Sequence, residues 1–295
     1  MQVVLGRLIS TGIYGSVYEG IEQTALKQVA VKEFRRERHN PNDGIDETTL
    51  REIAIHKSLS PHPQIVEFYG VIMDDQGPIR LVMEWMPTDF HDLIHRQHRN
   101  NREIIVRAAP TYFHQLLSGI AHCHDHRIIH RDLKPTNILV DRNGNLKLTD
   151  FGLAIRLPNS ALSNEVVSLW YRAPELLCGA SQYNGAIDIW SLGCIFVEIL
   201  SLIVPFQADT PRQQLAAIFY ELGTPSPGSL LVGLPGYSTN MFSPCERRFP
   251  RPGLSIPFQY VSLLEQMLSL EADQRPSARD LIRQLLSMLA PQSQD

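Results

Sequence analysis

At 295 residues, with 43% hydrophobic side chains, the chain is long enough for one large domain or two lobes sharing a cleft. Lys and Arg total 27 against 31 Asp and Glu, a net charge of −4, which excludes the global basic field of a nucleic-acid binder. No apolar run approaches the roughly 20 residues of a membrane span, and Met1 leads into a strand-like run with neither a charged nor an apolar leader segment. Cys123, Cys178, Cys194 and Cys245 show no paired spacing, which fits a reducing compartment.

In chain order, Val3 to Ser10 and Ser16 to Gly20 read as strands around the turn Thr11-Gly12-Ile13-Tyr14-Gly15, and Gln28 to Phe34 as a further β-rich run. Asp46 to Leu59 reads as a helix, because acids in its first turn and Lys57 near its end suit the macrodipole. Beyond Met86 the chain turns helical. Pro110 marks the first turn of a helix running to about His124, where a missing N–H is harmless. His122, His124, His126 and His130 raise a metal reading, but no Cys or acid completes a tetrahedral set with them. Helices near Gln259 to Leu270 and Ser277 to Leu289 close the chain, after a Pro/Gly/Ser-rich stretch up to Pro257 that carries no readable period.

The densest chemistry lies in His130-Arg131-Asp132-Leu133-Lys134-Pro135-Thr136-Asn137, followed by Asp150-Phe151-Gly152. Asp132 can accept a proton, Lys134 can neutralise developing negative charge, and Asn137 and Asp150 offer hard oxygen ligands of the kind Mg²⁺ prefers. Between them, Ile138-Leu139-Val140 and Asn145 to Leu148 read as two short strands joined at Asp141-Arg142-Asn143-Gly144, a hairpin that holds these groups on one ledge.

This order, H-R-D-L-x-x-x-N and then D-F-G, resembles the protein kinase family. The resemblance implies an α+β fold of two lobes: a small antiparallel-sheet lobe with one main helix over 1–86, and a mainly helical lobe over 87–295. It implies ATP and Mg²⁺ as cofactors, with Asp132 as proton acceptor, Lys134 beside the transferring phosphoryl group, and Asn137 and Asp150 on the metal. Lys32, in Val29-Ala30-Val31-Lys32, becomes the cation for the α- and β-phosphates and Glu52 its ion-pair partner. Gly12 and Gly15 fill the second and third positions of a phosphate-covering glycine loop, with Ser10 at the first. Ile9, Val17, Ala30 and Leu139 line the nucleotide site, Met83 is the gatekeeper, Glu84 and Met86 offer backbone groups to adenine, and Asp89 lies near the ribose. Asp188 should brace the catalytic loop, and Arg275 should pair with Glu175.

Glu165 to Arg172 and Gly119 to Arg127 are similar to the cyclin-dependent kinases, and Leu222-Gly223-Thr224-Pro225 resembles the start of an insert typical of that group. By this resemblance Val166, Val167 and Arg172 shape a pocket for proline directly after a target Ser or Thr. Leu50 faces a cyclin-like regulatory subunit, the substrates are proteins, and neither membrane nor direct nucleic-acid binding is expected of a bare catalytic domain in the nucleus or cytoplasm. Ser163 stands at the activating phosphosite, with Arg51 and Arg131 as clamp, while Ile155 occupies the place of the third arginine and Arg156 follows it. Tyr14 is a candidate inhibitory phosphosite. Nothing in the sequence marks what holds the Glu52 helix inward without a partner. His56 lies one turn after Glu52, where kinases usually place an apolar residue; a polar ring there is expected to weaken the active stack and raise dependence on a partner. The rival reading is a pseudokinase scaffold that binds a cyclin-like partner without efficient turnover.

Overall fold

The structure, a computed structural model, describes residues 1–12, 15–35, 46–73, 77–97, 102–157, 168–238 and 242–290. Tyr14, Ser163, Val166 and Val167 lie outside them.

The N-terminal lobe is a five-stranded antiparallel sheet built from β1 (Val3–Thr11), β2 (Gly15–Glu22), β3 (Lys27–Phe34), β4 (Phe68–Ile72) and β5 (Arg80–Glu84), in the order β1-β2-β3-β5-β4. Alternation along β3 decides what each face does. Val29 and Val31 pack with Val82 on the outer face, while Ala30 and Lys32 point toward the other lobe. Helix α1 (Glu47–Leu59) starts where the Asp46 carboxylate accepts the Thr48 and Thr49 N–H groups at 3.1 and 3.2 Å. Its buried residues Thr49, Glu52, Ile55, His56 and Leu59 follow helical spacing, so one stripe carries both Glu52 and His56 inward.

The C-terminal lobe continues with β6 (Thr88–Asp89), the short α2 (Phe90–Asp92), a π-helical turn over Leu93–Gln97, and α3 (Arg102–Asp125). Then come β7 (Ile128–Ile129), the hairpin β8 (Ile138–Val140) and β9 (Leu146–Leu148), β10 (Ile155–Arg156), α4 (Pro174–Leu177), α5 (Ala186–Ser201), α6 (Pro211–Leu222), α7 (Val261–Met267) and α8 (Ala278–Leu289). The architecture is therefore the α+β, two-lobed arrangement expected from the sequence. Almost every residue of α5 is buried, and its Phe196 stacks on Phe113 of α3 at 3.9 Å between ring centroids. Arg275 holds Glu175 through two buried bonds of 2.7 and 2.8 Å, a fork geometry suited to a carboxylate.

One expected boundary is corrected. Helix α3 begins at Arg102, and Pro110 sits in its interior. Proline cannot donate to the Val106 carbonyl, but the preceding turns bury Ile105 and Ala109 in the core, and that packing keeps the helix running. In the Pro/Gly/Ser-rich stretch the described residues form only a short 3₁₀ turn, Leu230–Gly233.

The lobes are joined behind the cleft as well as through the connecting chain. Val66 N–H donates to the Leu148 carbonyl at 3.0 Å and Leu148 N–H to the Gln64 carbonyl at 2.8 Å. Lys147 on β9 reaches Glu84 on β5 at 2.6 Å. Near this seam His62 stacks on His122 at 4.2 Å between centroids, and His126 lies 4.4 Å beyond His122. The four histidines of the metal reading face different partners: His122 the Leu59 carbonyl, His124 Asp188, His126 the His122 carbonyl and His130 the Thr149 carbonyl.

Burial, then the charges of His122 and His126, push the His62 pKa down from 6.5 to about 4. Between those two values the unfolded chain takes up a proton that the folded chain refuses, so folding stability is lost as pH falls through this window. The urea midpoint should drop from pH 7 to pH 5, and His62→Gln should flatten that slope. An identical slope in the variant would remove His62 from the account.

Candidate active site

A cleft of about 840 Å³ opens between the lobes. Ile9, Gly12, Gly15, Val17 and Ala30 line it from the sheet, and Leu139 from the other lobe. Met83 and Glu84 of β5, Met86 of the connecting chain and Asp89 of β6 complete the lining. Two glycines owe their identity to close approach. A Cβ on Gly15 would run into the Glu33 carbonyl of the neighbouring strand, and one on Gly152 would lie 3.0 Å from Glu52 Oε2.

Lys32 Nζ donates to Glu52 Oε1 at 2.6 Å and to Asp150 Oδ1 at 2.9 Å. Burial opposes the Lys32 charge, but the two carboxylates outweigh it and hold the ammonium pKa above the ordinary lysine value. Burial likewise opposes the Asp150 charge, and Lys32 more than offsets it, keeping that carboxyl below the usual aspartate range. Asp150 takes a left-handed backbone, φ 62°, which an L-residue adopts only when its surroundings enforce it. Helix α1 is thus docked against the sheet within a single chain. His56, one turn on, adds to this contact: its Nε2 lies 2.6 Å from the Val66 carbonyl, and its ring packs on Phe151 and Phe68 at 5.4 and 5.9 Å. Burial lowers its pKa, so the ring packs uncharged.

On the opposite wall, Lys134 Nζ donates to Asp132 Oδ2 at 2.7 Å, and Asn137 Nδ2 donates to the same oxygen and to the Asp132 carbonyl, both at 2.9 Å. Asn137 therefore turns its side-chain oxygen the other way. That oxygen and the Asp150 carboxylate are a hard-oxygen pair of the type a divalent magnesium ion takes. Asp132 Oδ1 accepts from Ser168 twice, from N–H at 3.0 Å and from Oγ at 3.1 Å, and Lys134 also donates to Ser168 Oγ at 3.0 Å. Sequence reasoning passed over Ser168 because its only signal is its place just before Leu169-Trp170-Tyr171. Both wall and loop are anchored on Asp188, whose carboxylate accepts the His130 and Arg131 N–H groups at 3.0 Å each and lies 2.9 Å from His124 Nε2. Burial works against that charge, but His124 foremost keeps its pKa below the ordinary value.

The regulatory residues are placed separately. Arg51 pairs with Glu47 at 2.9 Å, and Arg131 donates to the Leu153 carbonyl at 2.6 Å and the Tyr183 hydroxyl at 2.7 Å. Arg156 donates to the His126 carbonyl and to Ser58, each at 3.0 Å.

Paired strands roofing a cleft, a buried lysine shared by two carboxylates, and an aspartate held by lysine, asparagine and serine define a phosphate-handling two-lobed enzyme fold. A family model described as Protein kinase domain matches residues 3–286. The chain belongs to that family.

Ser168→Ala should lower peptide phosphorylation by roughly tenfold, the worth of one hydrogen bond to a charged group, while Ser168→Thr keeps most of it. Steady-state kinetics would decide; equal turnover in the Ala variant would leave Ser168 without a role at Asp132.

Proposed function

We propose that this kinase transfers phosphate from ATP to Ser or Thr followed by proline in protein substrates, and that it is of the cyclin-dependent type. The observation that carries the Ser/Thr assignment is the Lys134–Asp132–Ser168 cluster at the cleft mouth, where a substrate hydroxyl would meet its proton acceptor. Lys32, held by Glu52, positions the α- and β-phosphates. Asp132 orients the hydroxyl and accepts its proton. Lys134 neutralises charge that develops on the phosphoryl oxygens. Magnesium, held by Asn137 and Asp150, would supply further positive charge against the phosphates. Most of the rate then comes from positioning and charge, since the residues form no covalent bond to the substrate.

Proline preference is supported by the likeness of Glu165 to Arg172 to the cyclin-dependent set. A cyclin-like partner is supported by Leu50, which leaves 48% of its surface exposed on the outer side of α1, where an apolar contact has no partner within the helix's own buried stripe. Because Glu52 already meets Lys32, the partner acts in this reading on the activation segment and on how long α1 stays docked. A nuclear or cytoplasmic location accompanies it. Phosphorylation of Ser163 is an added input, weaker than a three-arginine clamp would make it, since Arg156 is committed elsewhere.

Asp132→Asn should cut peptide phosphorylation by about 10²–10⁴-fold while leaving ATP binding by calorimetry close to that of the parent protein. A variant retaining a tenth of the turnover would refute the role given to Asp132. With peptides that differ only after the serine, Pro should be strongly preferred over Ala; equal rates would defeat the proline-directed reading.

A further inference from the structure

Glu198 is a fully buried carboxylate in the last turn of α5, among Phe196, Val197, Ile199 and Leu200, and the chemistry of phosphate transfer makes no use of it. A buried carboxylate is expensive unless donors surround it. Here it has two. His95 Nε2 lies 2.6 Å from Oε1, and the Tyr171 hydroxyl donates to Oε2 at 2.8 Å.

These two donors come from opposite sides of the site. His95 belongs to the π-helical turn that directly follows α2, and Asp89 of β6 and Asp92 of α2, just before that turn, line the cleft. Tyr171 ends the 3₁₀ turn Leu169–Tyr171, and its N–H donates to the Ser168 carbonyl at 3.0 Å. Ser168 in turn donates to Asp132 Oδ1 from both its N–H and its Oγ. Ser191 on α5 donates to the Tyr171 carbonyl at 2.9 Å, and Gln214 on α6 to the Trp170 carbonyl at 3.2 Å. The turn's backbone is therefore fixed at two carbonyls, and the Tyr171 ring is fixed by Glu198.

We propose that His95 is a positioning residue: by covering and bonding Glu198 it holds Tyr171, and through the Leu169–Tyr171 turn it sets how Ser168 meets Asp132. His95 is partly exposed while Glu198 is wholly buried, so the imidazole is the group that closes the carboxylate off from water. Losing it leaves a buried charge with one donor, and the strain falls on the Tyr171 side because α5 is packed on every face. The inference depends on the chain being a kinase, not on proline preference or on a cyclin.

The test compares His95→Leu, His95→Gln and Tyr171→Phe in the full chain. Two readouts are used: amide hydrogen exchange over residues 168–172, and steady-state kinetics with ATP and a mixed pool of serine and threonine peptides. Exchange does not require turnover, so it separates failure of this inference from failure of the functional reading. In His95→Leu, exchange over 168–172 should quicken several-fold and kcat fall roughly tenfold, with KM for ATP within about twofold of the parent. His95→Gln, which can still donate to Glu198, should recover most of both. Tyr171→Phe, which loses only the hydroxyl, should reproduce the Leu effect, and the double variant should be little worse than either single one. Unchanged exchange and kcat in His95→Leu would overturn the proposal, as would a Gln variant no better than Leu. Should His95→Leu fail to fold, Tyr171→Phe carries the test, and parental exchange over 168–172 in that variant overturns it.

Discussion

The site depends on one buried charge. Asp188 lies in the first turn of α5, and three donors converge on its carboxylate: the backbone N–H groups of His130 and Arg131 and the His124 ring. An isolated carboxylate could not be buried there; a carboxylate that ties down a loop can. The loop it ties down is strained, since Arg131 holds φ 65°, a region an L-residue enters only when something enforces it. That kink is what turns Asp132 toward Lys134 and Asn137. Without Asp188 that kink would lose its support, and Asp132 its fixed place.

From this anchor, order spreads across the cleft through packed rings. His130 Nδ1 accepts from the Asp132 N–H at 3.3 Å, so its Nε2 carries the proton and donates to the Thr149 carbonyl at 3.0 Å. One ring thus links Asp132 to the residue preceding Asp150. The same ring lies 5.1 Å from Phe151, and Phe151 lies 5.4 Å from His56 on α1. A displacement of α1 must therefore either open this column or carry Phe151, and with it Asp150, away from Lys32. The polar ring at position 56 sits within this column: its nitrogen lies on the Val66 carbonyl, and burial lowers its pKa so that it packs uncharged.

Much of this was legible from residue types. Residue types alone picked out Asp132, Asn137 and Asp150, the resemblance to protein kinases added Lys32 and Glu52, and the structure gathers the five around one cleft. The misses share a cause. His56 bonds to a backbone carbonyl, Ser168 to a side chain thirty-six residues away, and His62 to a ring on another lobe; every chain is full of carbonyls and serines, so none of these partners carries a sequence mark. Pro110 failed differently. A local rule favoured it as a helix start, and tertiary burial of Ile105 and Ala109 overrode that rule.

Strand register explains why Arg156 does not behave as a displaced phosphate ligand. β10 pairs with β7, Ile155 opposite Ile129 and Arg156 opposite Ile128, and neighbouring side chains of a strand point to opposite sides. Ile155 is buried in the core, so Arg156 must point out, where it meets Ser58 near the end of α1 and the carbonyl of His126. Exchanging the two residues would bury a guanidinium and expose an isoleucine, a change the core around Ile128 and Ile129 could not absorb. The arginine is therefore a brace between α1 and the C-terminal lobe.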